Sequence, residues 1–171
     1  RCDDNTNVGS YRRSIKAVNP RAQVGFERAD GREMKTEEML PYDINADVIK
    51  IEDDDYGVWY IDAMERSDVY DGKVVEFKAE VRRSPKMPPG MIIPGRKAMT
   101  CCEDDITFIG YLCRLNQTKS KTLKRILNKE WVTLTAQIHV EYNEAYQKTM
   151  PVLNAIRIEK AEPPKQQLIY F

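Results

Sequence analysis

From Asp71-Gly72 onward the chain alternates apolar and polar residues, and this period of two constrains the fold more than any other feature. Lys73–Arg82 sets Val75, Phe77, Ala79 and Val81 on one face, with Lys73, Glu76, Lys78, Glu80 and Arg82 mostly on the other. Trp131–Tyr142 repeats the pattern, with Val132, Leu134, Ala136, Ile138 and Val140 opposing Trp131, Thr133, Thr135, Gln137 and His139. Both stretches read as half-buried strands. Between them, 83–95 holds four prolines and two glycines and reads as a loop. Arg96–Cys102 and Ile106–Leu115 read as two more strands, joined through Glu103-Asp104-Asp105. Thr118–Leu127 is expected to be a short helix with Leu123, Ile126 and Leu127 on one face. Met150–Ile158 is the last expected strand, and Pro163-Pro164 ends the domain.

The order is strand, strand, strand, helix, strand, strand. A mainly β, five-stranded OB-like Greek-key barrel has its helix between strands three and four, so order and count both fit. The domain is assigned to 48–171. At its start Asp47–Ile51 reads as a short strand, and Asp53-Asp54-Asp55 supplies N-cap chemistry for a helix over 56–66. Residues 1–47 are polar and weakly patterned, and read as an N-terminal extension or tether. A short helix is expected there from Lys35 to Leu40, stopped by Pro41.

Charge excludes more than it assigns. Lys+Arg and Asp+Glu both number 27, so the net charge is zero. Residues 41–72 carry ten acids against Lys50 and Arg66, a net of −8, whereas 73–171 carry 17 bases and 10 acids, a net of +7. Two such neighbouring segments neutralise each other. An OB shape raises single-stranded nucleic acid as an alternative partner, with Lys119, Lys121, Lys124, Arg125 and Lys129 as a basic helix and Tyr111, Trp131, Tyr142 and Tyr146 as stacking surfaces. A neutral chain predicts no binding tighter than the non-specific range, roughly 10⁻⁴–10⁻⁶ M. No apolar run reaches the ~20 residues of a membrane helix. No G-x-S-x-G, P-loop or G-x-G-x-x-G occurs, and a single histidine restricts triad and hydrolase designs. The chain reads as a non-enzyme.

The candidate site is Met99-Thr100-Cys101-Cys102-Glu103-Asp104-Asp105. Adjacent residues of a regular strand face opposite ways, so the two thiols converge only at a bulge or at the strand's end. A turn centred near Ile106–Thr107 places Cys113 opposite them. Cys101, Cys102, Cys113 and Asp104 then form a thiolate and carboxylate set competent for zinc, although no C-x-x-C spacing is present. The other readings are thiols packed as small hydrophobes, a disulfide to Cys113, and thiol-redox chemistry. Carboxylates are costly to bury unpaired, so this segment is expected to reach the surface.

The stretch from Val48 to Phe171 resembles the C-terminal domain of the YcgQ-like bacterial family of membrane permease subunits. The resemblance is carried by Tyr70-Asp-Gly-Lys73 leading into Val74–Val81, by Arg96 before Cys101-Cys102 with Asp104, and by Trp131-Val132. Pro151, Ala155 and Ile158 and the Pro164…Tyr170-Phe171 tail complete it. It implies an accessory or binding module at the cell envelope, outside the cytoplasm and membrane-associated, partnering a separate multi-spanning permease. The family's membrane helix has no counterpart in this sequence.

Overall fold

The computed structural model describes residues 39–88, 90–115 and 126–171. In chain order its elements are β1 (Ile49–Ile51), α1 (Tyr56–Glu65), α2 (Ser67–Tyr70), β2 (Val74–Arg82), β3 (Met91–Met99), β4 (Thr107–Gly110), β5 (Cys113–Arg114), β6 (Trp131–Asn143), β7 (Lys148–Lys160) and β8 (Leu168–Tyr170). The fold is mainly β, with eight strands in one mixed sheet.

The two alternating stretches are its spine. β2 and β6 pair antiparallel from Val74↔Gln137 to Glu80↔Trp131, and β6 pairs β7 along its whole length. Val75, Phe77, Ala79, Val81, Val132, Leu134, Ala136 and Ile138 are all buried, so the apolar faces read from the sequence are the core faces. β7 carries a register shift opposite Thr135/Ala136, which sets Ile156 outside the ladder and leaves it 52% exposed. On its other edge β2 pairs β1 in parallel over Val75–Phe77 and β3 antiparallel over Glu80–Arg82. β3 pairs β5, and β5 pairs β7 in parallel, so the run β2–β6–β7–β5–β3 returns to β2.

Several expectations are corrected. The 83–95 loop ends earlier, because Ile92 and Ile93 pair with Cys113 and Arg82 and draw Met91–Gly95 into β3. The expected strand over Arg96–Cys102 stops at Met99. Ile106–Leu115 is two strands, broken at Tyr111-Leu112. The domain does not end at Pro163-Pro164: β8 follows and lies parallel to β3, Lys97↔Leu168 to Met99↔Tyr170. The expected helix over 118–127 falls outside the described residues except for Ile126 and Leu127, and that over 35–40 except for Met39 and Leu40.

α1 follows the 3-10 turn Asp53–Asp55 directly. Its N-cap residue Asp55 makes no side-chain capping bond, so the acids favour this end through the helix dipole rather than as caps. Tyr56, Trp59 and Ala63 are buried on one side of α1, and Trp59 packs on Phe77 and edge-on to Tyr111. A Cβ on Gly57 would stand 2.8 Å from Ile169, so α1 sits close on the β8 segment.

A buried polar chain fastens the segment before β1. Tyr42 and Tyr70 share a 2.8 Å hydrogen bond, the Tyr70 hydroxyl donates to Asp62, and Arg66 clasps Asp62 through Nε and Nη2 at 2.8 and 2.6 Å. Burial raises both tyrosine hydroxyls above their ordinary range, which keeps them neutral donors.

Candidate functional site

β3 ends at Met99, and the chain turns through Thr100–Cys102 into the 3-10 turn Glu103–Asp105. Asp105 holds this turn. Its Oδ1 accepts the Thr100 N–H at 3.1 Å and its Oδ2 accepts the Cys101 N–H at 2.9 Å, while its own N–H donates to the Cys102 carbonyl at 3.1 Å. From the other side the Phe171 N–H donates to the Met99 carbonyl at 3.0 Å.

The strand has ended, so the two sulfurs are released from the strand's alternation and converge. Their separation is 3.6 Å. A disulfide bond is ~2.05 Å long, so the two sulfurs are not bonded to each other. Neither is a free thiol, however: Cys101 and Cys102 are both disulfide-bonded, which takes them out of the expected set of zinc-ligating thiolates. Cys101 and Asp104 are exposed, and Cys102 is half-buried.

Cys113 is elsewhere. It pairs with Ile92 near the start of β3, and Met99 lies seven residue steps further along the strand. At ~3.3 Å per residue that is a distance of roughly 20 Å or more from the turn. Cys113 is a free thiol, fully buried, with its pKa pushed up to about 12 by burial. It packs as a small hydrophobe. The four-residue set of Cys101, Cys102, Asp104 and Cys113 is thus not brought together, and among the described residues no three His, Cys, Asp or Glu side chains gather as metal ligands. The cause is the hairpin register. Ala98 pairs Thr107, so the turn is centred near Cys102-Glu103, about four residues before the expected Ile106–Thr107.

The carboxylate that binds back to the turn is Asp105, the neighbour of the expected metal ligand Asp104. A carboxylate shortly after a strand end is a signal for such a loop bond, but the sequence does not choose between two adjacent aspartates. His139 stands apart on β6, exposed, with Nδ1 3.4 Å from Asp71 and Nε2 4.0 Å from Glu141. Arg114 clasps Glu141 at 2.6 and 2.7 Å and holds its carboxyl below the usual range. Of the four aromatics considered for stacking, Tyr111 and Trp131 are buried, whereas Tyr142 and Tyr146 are exposed around the β6–β7 turn. Among the described residues no helix is long and apolar enough to cross a membrane.

The family model of the DUF1980 C-terminal domain matches residues 26–171. No curated protein matches the chain.

Proposed function

We propose, since this chain belongs to the DUF1980 C-terminal domain family, that it is a non-enzymatic accessory module of a bacterial envelope permease. The turn is built on an OB-like barrel in this reading. Support for the barrel is the closed run of pairings β2–β6–β7–β5–β3, in which the parallel β5–β7 step joins the third and last strands of the motif. Support for the permease and the extracytoplasmic, membrane-associated setting is the resemblance to the YcgQ-like family.

The closed run of pairings carries the reading of a binding module, and the turn at the end of β3 is held by two backbone bonds to Asp105 and by cysteines that are not free thiols. The permease part has its own check. Photo-crosslinkers at Tyr142 and Tyr146 in bacterial cells are expected to join a multi-spanning membrane protein, and crosslinks confined to soluble proteins contradict it.

A further inference from the structure

β6 begins at Trp131 and β7 ends at Lys160, and these two strand ends are tied together. Val132 is in register with Lys160, and the Ala161 N–H donates to the Trp131 carbonyl at 2.9 Å. At this junction lies an open cavity of about 300 Å³, lined by Glu130, Trp131, Lys160, Ala161 and Glu162. Small-molecule sites begin at about that volume, and they combine an aromatic wall with a few polar groups that fix orientation.

The aromatic wall is fixed in advance. Trp131 is 9% exposed, and the fully buried Arg96 guanidinium lies over its ring at 5.4 Å. A ligand therefore meets an indole that is already ordered, and no side-chain entropy is lost there on binding. Charge then selects the ligand. The lining carries a net of one negative charge, from Glu130 and Glu162 against Lys160. The Leu127 N–H at 2.9 Å, and after it Lys160, hold the Glu130 carboxyl below its usual range, so it is an anion at neutral pH. Lys160 Nζ stands 3.4 Å from Glu130 on a side chain 55% exposed. So exposed an ion pair contributes little, and it yields readily to a competing cation. Glu162 is exposed. A carboxylate on the ligand meets net repulsion here, whereas an ammonium gains from both glutamates and from the indole.

We infer that this cavity binds a small organic cation, an ammonium group on a short hydrocarbon stem, with Glu130 and Glu162 meeting the charge and Trp131 the stem. Such a site stands with or without a permease partner.

Nuclear magnetic resonance of the isotope-labelled 171-residue chain, titrated with n-butylammonium chloride, tests it. The chain has two indole N–H groups, and that of Trp59 is wholly buried and serves as the internal control. The Trp131 signal is expected to shift saturably while the Trp59 signal stays in place, with a Kd on the order of 1 mM for a ligand this small. Sodium butyrate at the same ionic strength is expected to leave Trp131 unmoved. Glu130→Gln/Glu162→Gln, with the rest of its spectrum unchanged, is expected to bind butylammonium roughly tenfold more weakly. A butyrate shift as large as that of butylammonium overturns the inference. So does a double variant that binds as tightly as the parent, or a Trp131 signal that never saturates.

Discussion

Gly95→Ala is expected to cost the protein most of its stability. Gly95 in β3 faces Gly110 in β4, and the two backbones approach each other closely at this pair. A Cβ on Gly95 would land on the carbonyl oxygen of Ile109 and come within 2.9 Å of both the Ile109 carbonyl carbon and Phe108. A Cβ on Gly110 would stand 2.6 Å from the carbonyl oxygen of Pro94. The obstructing oxygens belong to backbone and cannot swing aside as a side chain would. β3 and β4 must therefore separate, and the cost belongs at or above the upper end of overpacking, roughly 3 kcal/mol. At about 3–4 °C per kcal/mol for a domain of this size, the melting midpoint falls by roughly 10 °C. Gly72→Ala is the control. Gly72 has φ +80° and nothing within 4 Å of its missing Cβ, so only left-handed strain opposes the change, roughly 1–2 kcal/mol. A Gly95→Ala protein that melts within a degree of the parent contradicts the close approach of β3 and β4.

Arg96→Ala is expected to cost about as much, for a different reason. The β2 edge pairs β1 as far as Phe77 and β3 from Glu80, so Lys78 lies in the gap between the two ladders. The Arg96 guanidinium fills that gap: Nε and Nη2 donate to the Lys78 carbonyl at 3.1 and 2.9 Å. Nη2 also meets the Asp53 carboxylate, and the group lies over the rings of Tyr56 and Trp131 at 5.6 and 5.4 Å. Its side chain is 1% exposed, whereas that of Asp53 is 39% exposed. Water therefore screens the ion pair, and most of the loss comes from the orphaned Lys78 carbonyl and the cavity. Truncation of such a group costs roughly 3 kcal/mol, the low end for a broken buried pair. Arg96→Lys is expected to recover less than half, since one ammonium lacks the planar fork that serves Lys78 and Asp53 together. Chemical denaturation measures both variants. An Arg96→Ala protein as stable as the parent shows that the gap closes without the guanidinium.

Gly95 and Arg96 also mark where the sequence was legible and where it was not. Alternation located β2 and β6 to within a residue or so and named their buried faces, because each has one face in the core. The same test fails for β3. Arg96 is buried on β3, and Pro94 and Gly95 stand beside it in the register with Val81 and Glu80, so composition there signals a loop. β8 is three residues long, and only its pairing with Lys97–Met99 makes it a strand. A tertiary contact of that kind leaves no local period to read. The site divides the same way. Convergence of Cys101 and Cys102 at a strand end was foreseeable from local geometry, whereas the fate of Cys113 depended on a hairpin register that moved it to the far end of β3. A shift of four residues changed a supposed ligand into a core side chain.

Labelling of the folded chain with a thiol-reactive maleimide, read by mass spectrometry before and after reduction, tests the account of the turn most directly. Cys101 and Cys102 are disulfide-bonded, so neither is expected to take label until a reductant is added, after which both do. Labelling of either cysteine in the unreduced chain contradicts it.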